Sequence, residues 1–197
     1  MSLRSLIRAR LKSVRDATNR LRSPAGGSDL KKNELLRVAP RSRRFGLDRG
    51  QPIDRRYIDQ FLAAEAGILR GVVIEVADDR YAQRFSAPGS DIRILHRDPQ
   101  RDAACATAHI IGDLAVPETM PEEVADAFIC TQTLQFVFDL TAGVRGTHRL
   151  LRPGGVLLAT LPCLSQISRY DADRWGDFWR LTPACAERLF SSVFGPG

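Results

Sequence analysis

The chain has 197 residues, of which 44% are hydrophobic, and this is enough for one sizeable domain rather than two. No apolar stretch approaches the ~20 residues of a membrane-spanning helix, which argues against such a helix. The four cysteines and three histidines are widely spaced, with no C-x-x-C pair. We therefore expect no metal site and no disulfide framework, but buried thiols in a reducing cytoplasm.

Charge is distributed unevenly along the chain. Residues 1–50 carry 14 Lys/Arg against 4 Asp/Glu, a balance of +10, whereas residues 51–197 have a balance of −4. The sequence therefore predicts two parts: a basic segment, residues 1–44, and a mildly acidic domain, residues 45–197.

The basic segment begins with the spacing of an amphipathic helix. Across residues 3–22, apolar side chains recur at gaps of three and four, and arginines fill the other face. Such a helix would lie on an anionic membrane surface, dock on an acidic partner, or pack its leucines on the domain. A joint rich in Ser, Pro and Gly and a charged linker follow. The segment has no aromatic residue before Phe45, so we expect no specific nucleic-acid partner. The expected location is cytoplasmic, peripheral to the membrane if the helix docks there.

Short apolar runs alternate with helical patterns through the rest of the chain. A helix begins near Asp54 and ends at Gly67 or Gly71. Strands are predicted at residues 71–77, 91–96, 107–111, 125–131 and 155–161, and further helices at residues 79–85, 139–151 and 182–193. This alternation predicts a Rossmann-like, doubly wound α/β fold with a mostly parallel sheet and helices on both faces.

The first strand ends in acids where a dinucleotide-binding fold has glycines. In residues 71–81, GVVIEVADDRY, apolar residues surround Glu75 and the run stops at Ala77-Asp78-Asp79. A pyrophosphate needs the close backbone approach that a G-x-G-x-x-G loop provides. The stretch therefore argues against a nicotinamide dinucleotide and for a ligand held in another way.

The order of these signals resembles the class I S-adenosylmethionine-dependent methyltransferase superfamily. The resemblance rests on VVIEV (72–76), GDL (112–114), DAFICTQTL (126–134) and, most specifically, LLRPGGVLL (150–158). Two further stretches, FGLDRGQPID (45–54) and YDADRWGDFW (170–179), are similar to a type 11-like subgroup associated with glycosyltransferases and surface polysaccharide synthesis. That subgroup also lacks the usual glycine loop.

The resemblance implies S-adenosylmethionine as cofactor and a set of residues around it. By position these cofactor residues are Glu75, Ala77, Asp78, Asp113, Leu114 and Thr131. Three of them have a structural alternative: Glu75 would pair with an arginine, Asp113 would only end its strand, and Thr131 would cap the following helix. Near the end of the second strand the superfamily often has an acid that binds the ribose hydroxyls. In this sequence His96 or Asp98 would take that role, or no residue there does. Ala77, Asp79 and Tyr81 stand where the superfamily has glycines, and Tyr81 is expected to narrow the pocket.

The stretch after the fifth strand is expected to bind the acceptor. Tyr170, Trp175 and Trp179 alternate with acids, a combination that suits a small polar or carbohydrate-linked acceptor, because rings stack on pyranose faces while carboxylates take hydroxyls. The alternative is a packed lid. No catalytic residue can be assigned, and the candidates for a general base are Asp171, Asp173 and His148.

The end of the chain departs from the resemblance. The superfamily's sheet closes with an antiparallel hairpin of two strands, whereas this sequence stops just after its last helix. We therefore expect an exposed fifth strand in a C-terminally truncated member, or a partner that covers this edge. Two strands within residues 160–197 would contradict this expectation. The predicted function is a methyltransferase; the alternative is a non-catalytic methyltransferase-like domain that serves as a binding or scaffold module.

Overall fold

The computed structural model describes residue 42, residues 47–98 and residues 107–195. The chain divides into two units, residues 1–52 with Gly197 and residues 53–196. In the first unit the described residues contain one 3₁₀ turn, Leu47–Arg49. The predicted helix at residues 3–22, the linker and the boundary between residues 44 and 45 lie outside the described residues and stay predictions.

The second unit alternates strands and helices. Its strands are β1 (Val72–Val76), β2 (Asp91–His96), β3 (Ala108–Ile111), β4 (Ala125–Thr131) and β5 (Leu151–Thr160). Its helices are α1 (Ile53–Glu65), α2 (Arg80–Phe85), α3 (Leu140–Leu150), α4 (Arg169–Ala172) and α5 (Pro183–Phe194). Short 3₁₀ turns at Ala66–Ile68, Pro117–Thr119 and Leu134–Phe136 join some of these elements.

The five strands form one parallel sheet in the order β3-β2-β1-β4-β5. This order reverses direction between β1 and β4, and in open α/β sheets ligands bind outside the carboxyl ends of the strands at such a point. The predicted Rossmann-like α/β fold is therefore confirmed.

Helices cover both faces of the sheet. On one face Val73 packs with Leu62 of α1, and on the other Ile74 packs in a cluster with Val144 of α3. Because successive side chains of a strand point to opposite faces, Glu75 shares the α1 side with Val73. The sheet therefore directs the one carboxylate of β1 into the layer that α1 and α2 form.

The fifth strand begins earlier than the sequence predicts. Leu151 pairs with Ala125, and the next register pair is Ala127 with Val156, so residues 152–155 bulge out of the strand. Gly154 has φ +80°, and a Cβ on Gly155 would lie 2.9 Å from the carbonyl oxygen of Arg152. The Pro-Gly-Gly step is thus an insertion inside β5 and not, as expected, the connection that precedes it.

The outer edge of β5 is open in the part of the chain that the structure describes. Residues 161–195 form helices and loops but no strand, so the expectation that they add no hairpin is confirmed for this range. Truncation itself stays a prediction. A groove of about 650 Å³ runs along this edge between β5, Phe61 of α1 and the apolar side of α5. None of the described helices is both long and apolar enough to cross a membrane.

The described cysteines differ in their surroundings. Cys130 is fully buried in β4, and this burial raises the pKa of its thiol to about 12. Cys163 and Cys185 are free and exposed, so the expectation of buried thiols is wrong for these two. Cys163 follows the end of β5 and Cys185 lies in the first turn of α5, both outside the core.

Gly146 supports a prediction about helix packing. It lies inside α3, yet a Cβ there would lie 2.9 Å from the carbonyl oxygen of Leu114, a backbone atom. We therefore expect Gly146→Ala to destabilise the protein by about 1–3 kcal/mol, although alanine is the better helix former. Urea unfolding measures this change. The control is Gly67→Ala, where a Cβ meets nothing within 4 Å; a Gly146→Ala variant as stable as this control would contradict the prediction.

Candidate functional site

The candidate site lies at the carboxyl edge of the sheet. Ala77 follows β1, Arg97 follows β2, Asp113 closely follows β3 and Gln132 follows β4. Because all strands are parallel, the loops that carry these residues emerge on the same edge. The fold therefore brings the sequence-predicted acids of β1 and β3 to one side of the molecule.

Glu75 is only 3% exposed and holds the first turn of α2. One of its carboxylate oxygens, Oε2, accepts hydrogen bonds from the backbone N–H groups of Tyr81 at 3.0 Å and Ala82 at 2.8 Å. These donors at a helix start have no partner within the helix, so Glu75 satisfies two of them. Among the residues that the structure describes, no arginine lies within ion-pair distance of Glu75, which excludes the ion-pair alternative for them.

Glu75 and Asp78 form a pair of carboxyl groups with opposite pKa shifts. Burial raises the pKa of Glu75 to about 8, although its backbone hydrogen bonds lower it. The charge of Asp78 and a hydrogen bond with Asp78 contribute to this rise. For Asp78 burial also acts upward, but hydrogen bonds from Arg80 outweigh it, so its pKa is lowered. At neutral pH the buried acid therefore keeps its proton and Asp78 carries the negative charge.

Ala77 keeps the backbone conformation of a glycine. It is exposed at the end of β1 with φ +69°, in the left-handed region that side chains disfavour. Asp79 differs, because its φ is −119° and its carboxylate accepts a hydrogen bond from Thr107 at 2.6 Å. Tyr81 packs in the α1–α2 layer, where its hydroxyl accepts a hydrogen bond from Arg55 at 3.3 Å. Only Ala77 thus retains the geometry that a glycine loop would have.

Asp113 and Leu114 point in different directions. Asp113 is partly exposed, and its Oδ1 accepts a hydrogen bond from the backbone N–H of Ala115 at 2.9 Å. Its Oδ2 lies 4.0 Å from Nη1 of Arg97. Leu114 is buried in the core cluster and contacts α3 at Gly146. The carboxylate of Asp113 can therefore contact a ligand at the edge of the sheet, whereas the side chain of Leu114 packs in the core.

The end of β4 carries a chain of polar side chains. Thr131 is half-buried, and its carbonyl oxygen accepts a hydrogen bond from the hydroxyl of Thr133. Gln132 has φ +48°, and its side chain accepts a hydrogen bond from Nε2 of Gln135 at 3.4 Å. Oε1 of Gln135 is buried and meets no donor among the described residues. Strained backbone and an unsatisfied buried oxygen are features that cluster at binding sites.

The segment after β5, residues 161–182, is held by one buried ion pair. Asp177, whose side chain is 3% exposed, bonds to Arg180 through both carboxylate oxygens at 2.6 and 2.7 Å. Arg180 also donates to the carbonyl oxygens of Ser165 and Gln166, and this pairing lowers the pKa of Asp177. The post-β5 segment (residues 161–182) is therefore an ordered loop with a defined position.

The post-β5 segment exposes a set of aromatic rings. Tyr170, Trp175 and Phe178 each leave about half of their surface exposed. Trp179 is less exposed, and its indole N–H donates to the carbonyl oxygens of Val137 and Phe138. The three aromatic residues predicted to bind the acceptor thus lie on one segment, with Trp179 also anchoring it.

This segment crosses the carboxyl edge of the sheet. The backbone N–H of Phe178 donates to the carbonyl oxygen of Gln135 at 2.9 Å, next to the end of β4. The guanidinium of Arg97, at the end of β2, lies 5.9 Å from the ring centroid of Trp175. Since β1 lies between β2 and β4, the segment contacts residues on either side of the end of β1, where Ala77 and Asp78 are.

Comparison with known proteins connects this geometry to a family. Residues 86–159 match the methyltransferase domain family, a range that runs from the end of α2 to β5. No protein in a search of curated sequences matches the chain.

Solved structures share the fold. A chain of the complex between the Haloferax volcanii Trm112 methyltransferase activator and a methyltransferase superposes with TM-score 0.52 at 17% identity, covering 75% of this chain and 72% of that one. A SAM-dependent methyltransferase from Archaeoglobus fulgidus has TM-score 0.52 at 9% identity, covering 75% and 71%. One from Thermotoga maritima has TM-score 0.50 at 15% identity, covering 70% of each chain. At these identities the likeness establishes the fold.

Residues 86–159 thus match a methyltransferase domain family, and the chain shares its fold with solved S-adenosylmethionine-dependent methyltransferases. The residues present fit S-adenosylmethionine as a ligand. The fold places two carboxylates, Asp78 and Asp113, at the edge where the ammonium group of the methionine part and the hydroxyl and amino groups of the nucleoside would need acceptors. Ala77 is exposed at the end of β1 in a glycine-like conformation.

The candidates for a general base lie in different parts of the structure. Asp171 and Asp173 lie on the post-β5 segment, with Asp171 half-buried and Asp173 exposed. His148 lies in the last turn of α3 against Phe194 at 4.9 Å. Because α3 runs back from the end of β4 to the start of β5, His148 lies at the opposite edge of the sheet. It is therefore not a base for chemistry at the carboxyl edge.

Two residues of the candidate site have no sequence signal of their own. Arg97 stands beside the two residues considered for the ribose, and only the fold shows that it contacts both Asp113 and Trp175. His96 instead lies buried against His109, with ring centroids 5.2 Å apart. In the sequence Gln135 is an ordinary polar residue of a turn, and only the tertiary structure shows that it is buried. Among the described residues, no three His, Cys, Asp or Glu side chains form a metal-binding group.

The conformation of Ala77 supports a stability prediction. Because its φ of +69° is strained for any residue with a Cβ, Ala77→Gly should stabilise the protein by about 0.5–1 kcal/mol despite the flexibility of glycine. The free energy of urea unfolding measures the change. The matched control is Ala87→Gly, an exposed position without positive φ, where the same change should destabilise. A loss of stability in both variants would contradict the prediction.

The raised pKa of Glu75 supports a prediction about pH. Between its unfolded pKa of 4.5 and its folded pKa of about 8, the unfolded chain loses this proton and the folded chain keeps it, so stability falls as the pH rises through this window. Glu75→Gln cannot ionise and should remove this fall. Relative to the parent protein, the variant should gain about 1–3 kcal/mol between about pH 5 and pH 8.

Urea unfolding at several pH values tests this. Glu118→Gln, the same change at an exposed position, is the control and should show no such pH-dependent gain. Parallel stability curves for Glu75→Gln and the parent protein would show that Glu75 is ionised in the folded state.

Proposed function

We propose that this chain transfers a methyl group from S-adenosylmethionine to a small polar or carbohydrate-linked acceptor at the carboxyl edge of its sheet. The observation that carries this proposal is that the post-β5 segment contacts Arg97 after β2 and Gln135 after β4, on either side of the end of β1. This arrangement puts exposed aromatic rings beside the edge that holds Asp78 and Asp113. A donor site and an acceptor site would then share one cleft.

The cofactor side of the proposal uses carboxylates rather than glycines. Asp78 would accept hydrogen bonds from the ammonium or ribose hydroxyl groups, and Asp113 from the adenine amino group. Glu75 would keep the loop in place through the N–H groups of α2, and Leu114 would support Asp113 from the core. Thr131 would complete the wall at the end of β4. When bound, S-adenosylmethionine supplies an activated methyl group, so positioning contributes much of the rate.

The acceptor side of the proposal uses the aromatic rings of the post-β5 segment. Tyr170 and Trp175 are exposed, as stacking on a pyranose requires, and Asp171 and Asp173 lie between them in sequence. If the acceptor is a hydroxyl group, one of these carboxylates would take its proton. The resemblance of residues 45–54 and 170–179 to methyltransferases of surface polysaccharide synthesis supports a glycan as the acceptor.

The N-terminal segment fits the same proposal. Residues 3–22 would hold the protein at the cytoplasmic face of a membrane through their basic amphipathic pattern, or dock on an acidic partner. A lipid-linked glycan would be accessible from that position. The pattern of apolar and basic residues in the sequence is the support for this part of the proposal.

Binding of S-adenosylhomocysteine, the product of the donor, tests the proposed function. We expect calorimetric titration to detect binding to the full chain at sub-millimolar ligand. Asp113→Asn keeps the oxygen that bonds to Ala115 but removes the charge, and it should weaken binding at least about tenfold, or about 1.4 kcal/mol.

The matched control is Asp54→Asn, an exposed acid in α1 that should leave binding unchanged. Absence of binding by the parent protein would favour the other candidate, a methyltransferase-like domain that serves as a binding or scaffold module. The substitutions at Ala77, Asp79 and Tyr81 are what favour that candidate.

A further inference from the structure

Arg97 lies near both Asp113 and Trp175, which belong to the proposed cofactor side and acceptor side of the candidate site. It follows β2, and its side chain is 67% exposed at the carboxyl edge of the sheet. One side of its guanidinium is 4.0 Å from Oδ2 of Asp113, and its central carbon is 5.9 Å from the ring centroid of Trp175.

Both oxygens of Asp113 are engaged in this arrangement. Oδ1 accepts the backbone N–H of Ala115 at 2.9 Å, whereas Oδ2 faces Arg97 at 4.0 Å. The first contact is a full hydrogen bond inside a tight turn, and the second is a long, exposed ion pair of the kind that contributes little. A ligand that donates a hydrogen bond to Asp113 would therefore displace Arg97 and leave the turn intact.

A displaced Arg97 has a second partner within reach. The ring of Trp175 is about half exposed and already lies near the guanidinium. Stacking of this type occurs elsewhere in the segment, where Arg174 lies 3.5 Å from the ring centroid of Tyr170. Arginine over an aromatic face is a favourable arrangement that strengthens as the distance shortens.

We propose that Arg97 is a positioning residue that occupies Asp113 until the cofactor binds and then moves onto Trp175. Adenosine would replace the guanidinium at Oδ2, and the released guanidinium would stack on the ring of Trp175. Cofactor binding would thereby fix the orientation of this ring on the acceptor side. The inference rests on the proposed function, since it needs a ligand with a hydrogen-bond donor for Asp113.

Titration with S-adenosylhomocysteine tests the competition. Arg97→Gln removes the competing charge and should tighten binding about two- to fivefold, the range expected from the loss of one exposed ion pair. Arg97→Lys keeps the charge and should bind as the parent protein does. In the Asp113→Asn background, Arg97→Gln should have no effect, because the competition needs the carboxylate.

Fluorescence tests the movement onto Trp175. The sequence has two tryptophans, and S-adenosylhomocysteine should change the emission of the parent protein but not that of Trp175→Phe. Arg97→Gln should abolish most of this change while still binding the ligand. A merely structural role of Arg97 would not produce this combination. The exposed position of Arg97 makes folded variants the expectation, and thermal unfolding checks it.

Arg174→Gln is the matched control, because Arg174 also stacks on an aromatic ring but, among the described residues, forms no ion pair with a carboxylate. It should leave both affinity and the fluorescence change as they are. Equal or weaker binding by Arg97→Gln, or an effect that persists in Asp113→Asn, would overturn the inference alone. Absence of binding by the parent protein and all variants would contradict the proposed function as well, whereas binding only after Arg97→Gln would support both.

Discussion

The parallel pairing of β1 with β2 on one side and with β4 on the other determines which strand ends meet at the centre of the candidate site. This pairing turns three stretches that are far apart in sequence into neighbours at one edge. Hydrophobic burial on both faces keeps the register, because a shift of one residue would turn Ile74 out of its core layer and Glu75 into it. The position of the candidate site is thus a consequence of how the central strand is buried.

Glu75 stabilises the loop after β1, in which the glycines of a glycine loop are missing. A glycine loop lets the backbone approach a ligand, and here a buried, protonated carboxyl group instead ties the loop to the first turn of α2. Ala77 retains the left-handed backbone at a cost in strain. The loop therefore keeps its direction while the charge that faces the cleft belongs to Asp78. This arrangement suits a phosphate-free cationic ligand better than a dinucleotide.

The post-β5 segment adds exposed aromatic rings to the carboxyl edge of the sheet. Its ion pair between Asp177 and Arg180 is nearly buried and bidentate, so it can hold a long connection in one place without regular secondary structure. The aromatic rings remain exposed because this anchor, and not their own burial, fixes the segment. The proposed donor side lies on rigid strands, and the proposed acceptor side lies on an anchored loop. The residues of the acceptor side could therefore vary without changes in the donor side.

The bounds of β2 and β4 coincide with those predicted, because both runs are apolar and end in polar or turn-forming residues. The start of β5 was missed, since a Pro-Gly-Gly step reads as a break, whereas a neighbouring strand can accommodate it as a bulge. By itself the sequence determined the α/β class, the acids at the strand ends and the absence of a pyrophosphate loop, because these depend on local periodicity and residue type. Only the tertiary structure decided that Glu75 caps α2, that His148 lies at the far edge and that Arg97 joins Asp113 to Trp175. Those contacts depend on strand order and helix direction, which place residues from distant parts of the chain within reach of each other.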